Sequence, residues 1–534
     1  MQIVDADVMV IGGGIAGLRA AIEVSTRAKT AVLISKSAVG KANNTYLAGG
    51  LFAVSYGSFD RRAHVEKTLR TGRHLNRVSL VNKFVTEAPD RIEELQKLGL
   101  KGKLVLSGFA TRGTPFIGGP RISSLLVATS RKAGVRFLER VMVTDLLVKD
   151  GVCLGAFGFH KLTGELYGLR AGAVILATGG AGAIYSEHDN APGMTGDGYS
   201  LGLRASLELI DMEFVQFYPM VYAGKGKARM IIPAGWADLG VIKNRLGEDL
   251  KEKYGLHDKP IAIVSRDRFA QALLREIRFG NDIQGALLLD LRNTDDALIP
   301  GSDTLKALLR KMIGYDCTPV RIAPACHHTM GGLMIDAEGH TGIENLFAAG
   351  EVVGGIHGAN RMGGNALSES LVFGAIGGST AVKSLISCTR TLPDIKKTVN
   401  ECAQRSFHAK IDKRAKRSVA PDLLKEIGDI LWKKSGILRN GSSLKGALRE
   451  VEDILNEIKG QRAATPWELY KIQECTNAAI NAYCITLSAL ERTESRGSHY
   501  REDYPVEDLG WKKNIYVKMS EGHPKVSCVA DTSE

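Results

Sequence analysis

Three glycines near the start of the chain have the spacing of a nucleotide-binding turn. Gly12, Gly14 and Gly17 fill the pattern G-x-G-x-x-G directly after the apolar segment ADVMVI. The first glycine allows a tight turn, the second lets the backbone approach a pyrophosphate, and the third lets helix and strand pack closely. A helix that begins there offers free N–H groups and a positive dipole to the phosphate. The pattern predicts dinucleotide binding.

Two further strand-to-glycine segments lie far downstream of this fingerprint. ILATGG (175–180) and LFAAGEV (346–352) both run from apolar residues into small ones, the second ending near Glu351. Three such segments favour an extended FAD lying across a sheet over a nicotinamide dinucleotide. The second strand ends in Ser35 and Lys36 instead of the usual ribose-binding acid. Ser35 can still bond a ribose hydroxyl, and Lys36 either meets a phosphate or faces solvent.

The surrounding elements place these turns in an α/β protein. ADVMVI, GGGIAGLRAAIEVS and TAVLIS predict a βαβ unit. Residues 78–99 predict an amphipathic helix, 136–176 strands, 266–278 a helix, and 331–380 glycine-rich, strand-like structure. Residues 392–496 have helical apolar spacing. The change of pattern at about 221–325 indicates an inserted domain, and the last 30 residues are typical of a surface tail.

The length, net charge and cysteine content of the chain limit its possible classes of function. The chain has 534 residues, a net charge of +12 and eight cysteines, none of them in a C-x-x-C pair. An iron–sulfur cluster or other metal site of its own is therefore not expected. No nucleic-acid motif accompanies the basic charge, which we assign to solvated surface and anionic ligands. There is no run of 18 apolar residues, and a strand begins by about residue 7. These features predict a cytoplasmic protein, held at the inner face of a membrane only through partners.

Three longer segments resemble one enzyme family. They are HGANRMGGNALSESLVFG (357–374), CHHTMGG (326–332) and ESRGSHYREDYP (494–505). They are similar to the flavoprotein subunits of succinate dehydrogenase and fumarate reductase, a superfamily shared with L-aspartate oxidase. The resemblance implies an α/β fold with a Rossmann-like FAD-binding domain (1–220 and 326–390), an inserted α+β capping domain (221–325), a C-terminal helical domain (391–505) and a surface tail (506–534). The resemblance implies FAD contacts at Gly12, Gly14, Gly17, Ser35, Lys36, Asn43, Thr45, Gly49, Gly50, Ala177, Thr178, Gly179, Asp197, Glu351, Arg361, Ala366 and Leu367.

The resemblance also bears on how the flavin is held. Covalent members of the family have a His at the position that we align with Asn43, and Asn cannot form that bond. We therefore predict noncovalent FAD. The lack of a covalent link favours reduction of the substrate, or oxidation of an easier donor.

The family's reaction interconverts a saturated and an unsaturated dicarboxylate by hydride and proton transfer. The resemblance assigns substrate-carboxylate binding to Arg361 and His327. Arginine suits this role because its planar fork meets a carboxylate with two hydrogen bonds. The loop FIGGP (116–120) is similar to a substrate loop of the family.

Other positions depart from the family pattern. Phe-His-Pro becomes Phe217-Tyr218-Pro219, which replaces an imidazole with a neutral phenol. The proton-shuttling segment Thr-Glu-Gly-x-Arg-Gly-Glu-Gly-Gly aligns with IPAGWADLG (232–240), so its arginine becomes Trp236. We expect Tyr218 and Trp236 to line a wider, aromatic catalytic pocket. Arg229, Lys243 and Arg245 are the cations that can substitute.

The sequence thus leads to three functional hypotheses. The first is a fumarate reductase-like subunit with noncovalent FAD, which acts on a carboxylate substrate and exchanges electrons through an iron–sulfur partner. The second is L-aspartate oxidase, although RMGGNAL differs from that enzyme's usual RMASNSL. The third is a flavin-bearing electron-transfer subunit of a larger redox complex, without fumarate chemistry.

Overall fold

The computed structural model describes residues 1–27, 29–105, 107–112, 118–224, 230–261, 265–294, 307, 310, 319–387 and 394–531. The strands are β1 (Gln2–Ile11), β2 (Ala31–Ser35), β3 (Leu51–Ala53), β4 (Gly102–Val105), β5 (Gly108–Thr111), β6 (Arg136–Glu139), β7 (Val141–Lys149), β8 (Val152–His160), β9 (Leu166–Leu176), β10 (Leu209–Ile210), β11 (Val215–Tyr222), β12 (Val241–Lys243), β13 (Leu287–Asp290), β14 (Val320–Thr329), β15 (Gly332–Leu333), β16 (Leu346–Ala348), β17 (Lys513–Ser520) and β18 (His523–Asp531).

The α-helices are α1 (Ile15–Thr26), α2 (Asn44–Leu47), α3 (Arg61–Thr71), α4 (Val78–Lys97), α5 (Gly118–Lys132), α6 (Asp197–Arg204), α7 (Trp236–Leu239), α8 (Leu250–Lys253), α9 (Arg266–Arg278), α10 (Asn365–Ser387), α11 (Lys396–Ala403), α12 (Ala420–Lys434), α13 (Gly441–Lys459) and α14 (Pro466–Glu491). Short helical turns cover Gly182–Ile184, Gln404–His408 and Leu509–Trp511.

A largely parallel sheet forms the centre of the described molecule. Its strands follow the order β6-β2-β1-β9-β8-β7, and β16 pairs with the last part of β9. β1 lies between β2 and β9 and runs parallel to both. Its residues from Val8 to Ile11 are buried, as expected for a strand covered on both faces. The carboxyl ends of β1, β2, β9 and β16 therefore meet at one edge, where ligands bind in open α/β sheets.

The segment between β11 and β14 is an insertion into this domain. The two strands are antiparallel neighbours, with Val215 opposite Thr329 and Tyr222 opposite Ile322. The chain therefore leaves the FAD-binding domain and re-enters it on adjacent strands. With β12, β13 and α9 they enclose a separate apolar core that includes Trp236, Phe269 and Leu289. This unit lies beside the sheet edge described above.

Two local predictions are wrong. Residues 365–380, expected to be strand-like, belong to α10. Its glycines allow close helix packing, because a Cβ on Gly374 would lie 2.5 Å from the Ala16 oxygen of α1. The expected tail after residue 506 contains the β17–β18 hairpin, in which Ile515 and Val517 are fully buried. β17 also pairs with β10, so the C-terminal segment is part of the folded core.

Candidate active site

One elongated cavity of about 370 Å³ runs from the nucleotide turn to the inserted unit. Its walls come from the carboxyl ends of the central strands, from α2, from β14 and from the loop before α10. The predicted cofactor positions that line it are Gly12, Gly14, Ser35, Lys36, Asn43, Thr45, Gly49, Gly50, Ala177, Thr178, Gly179, Asp197, Glu351, Arg361, Ala366 and Leu367.

The glycine turn forms a cradle at one end of the cavity. Gly12 has φ +125°, and a Cβ there would lie 2.0 Å from the Ala177 oxygen. A Cβ on Gly14 would meet only Thr45 Oγ1, at 3.4 Å, so the rest of its surroundings is cavity. Gly17 is absent from the described cavity wall. Its Cβ would lie 2.0 Å from the Gly12 oxygen, so Gly17 serves helix–strand packing and not direct cofactor contact.

Lys36 belongs to a largely buried charge cluster beside the cradle. Its Nζ lies 2.7 Å from Asp197 Oδ2 and 3.1 Å from Glu474 Oε1. It also donates to Thr195 Oγ1 at 3.0 Å. Burial disfavours the charged amine, but Asp197 and Glu474 raise the pKa of Lys36 above its ordinary value. Lys36 thus fixes α6 and α14 to the nucleotide turn and also lines the cavity, so the prediction that it faces solvent is wrong.

The Lys36→Met variant should be strongly destabilised, because it leaves the buried Asp197 carboxylate without its cation. We expect its free energy of unfolding to fall by about 3 kcal/mol, as for other broken buried ion pairs. Urea unfolding followed by circular dichroism measures the change. Lys97→Met is the matched control, since the Lys97–Glu93 pair is exposed on α4, and its unfolding midpoint should match the wild type. Equal midpoints for Lys36→Met and Lys97→Met would contradict this role.

The segment that follows the turn contains two asparagines with different tasks. Asn43 caps α2, since its side chain accepts from the Tyr46 amide and donates to the Gly13 oxygen. Asn44 lines the cavity and donates to Asn190 Oδ1 at 2.6 Å and to Glu351 Oε2 at 3.2 Å. The cavity-lining residues described between 42 and 51 include no His, Cys or Tyr. This wall therefore lacks the side chains that usually bond a flavin.

Two buried arginines meet at the other end of the cavity. Arg361 donates from Nη2 to Gln216 Oε1 at 2.9 Å, and its Nε is buried without a partner among the described residues. Arg266 donates to the Arg361 carbonyl at 3.4 Å and lies over the Tyr218 ring. Burial, with repulsion from Arg266, lowers the pKa of Arg361 to about 9. An anion bound here would be stabilised by both guanidinium groups.

His327 and Tyr218 complete this end, as predicted from the sequence. Both line the cavity, with ring centroids 5.6 Å apart. The Tyr218 hydroxyl donates to the Ile232 oxygen at 2.9 Å, and burial raises its pKa, so it stays protonated and engaged. Tyr218 therefore contributes its ring to the wall. His327 Nδ1 lies 2.7 Å from Asp189 Oδ2, a partner that the sequence did not reveal.

The prediction that Trp236 lines the catalytic pocket is wrong. Trp236 begins α7, is fully buried in the core of the inserted unit, and is absent from the described cavity wall. Asp238 accepts from the Ile261 amide at 2.9 Å, also away from the cavity. Lys243 pairs with Asp290, and Arg245 donates to the Gly280 oxygen. Arg229 and the 116–117 part of the FIGGP loop lie outside the described residues.

Arg266 is the cation that the sequence reasoning missed. It starts α9, and its buried neighbours Phe269, Ala270 and Leu273 recur at helical spacing. An arginine on the apolar face of an amphipathic helix is unusual unless it has a partner or a ligand. That pattern was visible in the sequence and could have identified the residue. Asp189 lies in an irregular loop, where no periodicity marks it.

Comparison with known proteins decides the family. Residues 7–367 match the FAD binding domain model, and 424–530 match the C-terminal model of the fumarate reductase flavoprotein. One subunit of the fumarate reductase (CoM/CoB) of Methanothermobacter marburgensis is 34% identical, over 97% of each chain. The chain belongs to the fumarate reductase and succinate dehydrogenase flavoprotein family. The predicted family, the fold class and an FAD-dependent oxidoreductase activity are thereby confirmed.

The solved quinol fumarate reductase of E. coli supports the same family at the level of structure. It aligns with a TM-score of 0.88 at 27% identity, covering 99% of this chain and 97% of that chain. L-aspartate oxidase of Streptomyces coelicolor is 29% identical over 99% of this flavoprotein and 94% of its own length.

FAD is the cofactor of this family, and the cavity fits it. The glycine cradle suits a pyrophosphate, since a Cβ at Gly14 would occupy cavity space. Cavity-lining residues also hold buried polar atoms without partners among the described residues, namely Thr178 Oγ1, His328 Nε2 and Arg361 Nε. The described residues contain no group of three or more His, Cys, Asp or Glu side chains that could hold a metal ion.

Proposed function

We propose that this flavoprotein transfers hydride between noncovalent FAD and a carboxylate substrate, fumarate or succinate or a related acid. The observation that carries the proposal is the convergence of Arg266, Arg361 and His327 at one end of a cavity whose other end is the glycine cradle. Two cations and an imidazole form a site for an anion with more than one oxygen acceptor. Reduction of the substrate is the favoured direction.

The protein groups bind and orient the acid. FAD, when bound, supplies hydride transfer to or from a carbon next to a carboxylate. Arg361 is held by Gln216 and by the Met362 oxygen, so its remaining donors are fixed before the substrate arrives. Fixed donors stabilise charge that develops on a carboxylate during reaction without further reorganisation. Tyr218 and Ile231 line this part of the cavity and contribute apolar surface.

The proposed site departs from the family pattern at Tyr218. The hydroxyl of Tyr218 is engaged by Ile232, and the side chains of Trp236 and Asp238 are directed into the inserted unit. Carboxylate recognition therefore depends on the two arginines and His327. We expect weak binding of acids whose recognition needs a hydrogen-bond donor at the position of Tyr218, because its hydroxyl already donates to the Ile232 oxygen.

The flavin should be released when the protein is denatured. Acid precipitation of the purified yellow protein should leave the colour in the supernatant, because neither Asn43 nor Asn44 can form a covalent flavin bond. Absorbance of the supernatant at flavin wavelengths, compared with total FAD, measures the released fraction. Retention of the colour in the pellet would contradict noncovalent binding.

We also propose that an iron–sulfur protein exchanges electrons with this flavoprotein in the cytoplasm, at the inner face of a membrane where its partners are anchored. Leu47 is 50% exposed and Leu51 is 36% exposed, and both line the cavity, so an apolar edge of the cofactor site reaches the surface. The M. marburgensis relative is itself named as one subunit of an enzyme. No helix in the described ranges is long and apolar enough to cross a bilayer. Purification from the native source under anaerobic conditions tests the partner; a chain that elutes alone with full activity would exclude it.

Anaerobic flavin reoxidation tests the function itself. The FAD-loaded protein is reduced with dithionite and mixed with fumarate in a stopped-flow spectrometer. Recovery of the oxidised flavin spectrum with formation of succinate is the expected result. If the flavin stays reduced with fumarate but the protein passes electrons to an acceptor protein, the electron-transfer alternative is correct. Ammonia release from L-aspartate would identify an L-aspartate oxidase.

A further inference from the structure

His327 and Asp189 form a close pair at the substrate end of the cavity. His327 Nδ1 lies 2.7 Å from Asp189 Oδ2, and both residues line the cavity. The Asp189 side chain is 3% exposed and that of His327 is 23% exposed. His327 Nε2 has no hydrogen-bond partner among the described residues. The ring therefore has one nitrogen bound to a buried carboxylate and the other available to a ligand.

Backbone hydrogen bonds hold Asp189 in this place. Its amide donates to the Cys326 oxygen at 3.1 Å, and the Cys326 amide donates to the Glu187 oxygen at 2.8 Å. Asn190 Nδ2 donates to the same Cys326 oxygen at 3.0 Å. The loop carrying Asp189 is thus attached to β14 at the residue before His327. Such attachment fixes the carboxylate relative to the imidazole before any substrate binds.

The carboxylate determines which imidazole nitrogen carries the proton. An ionised carboxylate only accepts hydrogen bonds, so Nδ1 must donate to Asp189. In the neutral ring Nε2 then presents a lone pair to the cavity, and a lone pair repels a substrate carboxylate. The ring can donate from Nε2 only as the imidazolium, in which both nitrogens carry protons.

We propose that Asp189 is a positioning residue that couples substrate binding to proton uptake, because it holds His327 so that Nε2 binds a carboxylate only when protonated. This inference rests on the proposed carboxylate-binding function and deepens it. Other charged and titratable groups share the cavity wall with His327. They are Asp189 from the loop, Tyr218 from β11, Arg266 from α9, His328 from β14, and Glu351 and Arg361 from the loops after β16 and before α10.

Calorimetry with an unreactive acid tests the coupling. Oxidised, FAD-loaded protein is titrated at pH 8 with malonate, whose single CH₂ cannot be desaturated. Titrations in HEPES and in Tris, which differ in heat of ionisation, give the number of protons taken up per malonate bound. Because Nε2 can donate to a carboxylate only in the imidazolium form, malonate binding by the wild type should be accompanied by proton uptake.

Variants then test whether the proton taken up on malonate binding goes to the His327–Asp189 pair. Asp189→Asn should bind malonate with little proton uptake, because an amide can donate to Nδ1 and leave a neutral ring with its proton on Nε2. His327→Gln should show none. Asp336→Asn is the matched control, since it removes another Asp–His pair, with His340 at 2.9 Å, on an exposed loop away from the cavity. It should match the wild type.

The outcomes separate this inference from the proposed function. Malonate binding without proton uptake in the wild type, or equal uptake in Asp189→Asn, would overturn the role of Asp189. Absence of malonate binding to the wild type would refute carboxylate binding itself and the coupling with it. The flavin spectrum of each variant reports whether the cofactor site is intact, and His327→Gln gives an independent result if Asp189→Asn does not fold.

Discussion

Replacing Arg361 with Gln is expected to lower kcat/KM for fumarate by about 10³-fold, because one fixed charge donor to the substrate is lost. The FAD content of the variant is measured first, because Arg361 also lines the cofactor cavity, and the rate is expressed per bound FAD. Stopped-flow flavin reoxidation at several fumarate concentrations gives the ratio. Arg361→Lys should recover little, because an ammonium cannot reproduce the two-pronged contact of a guanidinium.

Arg268→Gln is the matched control for this experiment. Arg268 lies on the exposed side of α9, two residues beyond Arg266, and donates to the Gly255 oxygen outside the cavity. The Arg268→Gln variant should reduce fumarate at the wild-type rate. A rate for Arg361→Gln within tenfold of the wild type would mean that the substrate binds elsewhere.

The second large effect is expected at the glycine cradle. Gly14→Ala should fold normally and lose FAD affinity at least tenfold, because its Cβ meets only Thr45 Oγ1 in the protein and otherwise occupies cofactor space. FAD content after gel filtration and the melting temperature of the apoprotein separate binding from folding. Normal FAD content in Gly14→Ala would contradict the cradle.

Gly12→Ala should behave differently from Gly14→Ala. Gly12 has φ +125°, and its Cβ would lie 2.0 Å from the Ala177 oxygen, so the substitution strains the junction of β1 and β9 itself. We expect insoluble protein or a large fall in melting temperature. Gly460→Ala, at the end of α13 with φ −77°, is the neutral control.

The sequence predicted the parts of the fold that have strong periodicity. β1, α1 and β2 were expected from apolar runs around the glycines, and α4 from its amphipathic spacing. α10 was misjudged because its many glycines resemble turn sequence, although they serve contact with α1. The β17–β18 hairpin was missed because its burial depends on pairing with β10, about 300 residues earlier in the chain.

The residues of the candidate site were predicted correctly where they belong to local motifs. The prediction failed where the interacting residues are distant in the chain. Gly14, Arg361 and His327 lie in long motifs and line the cavity as expected. The alignment of Trp236 with a catalytic position gave the wrong location, because that segment turns into the core of the inserted unit. The pairing of Asp189 with His327 joins positions 138 apart in the chain, a separation that no motif spans.

The most direct test of the central claim is an experimental structure of the FAD-loaded protein with malonate bound. We predict that the pyrophosphate contacts the turn at Gly12 to Gly14, and that the malonate carboxylates contact Arg266, Arg361 and His327. Malonate located outside this end of the cavity, or FAD bound with its flavin away from these three side chains, would contradict the account.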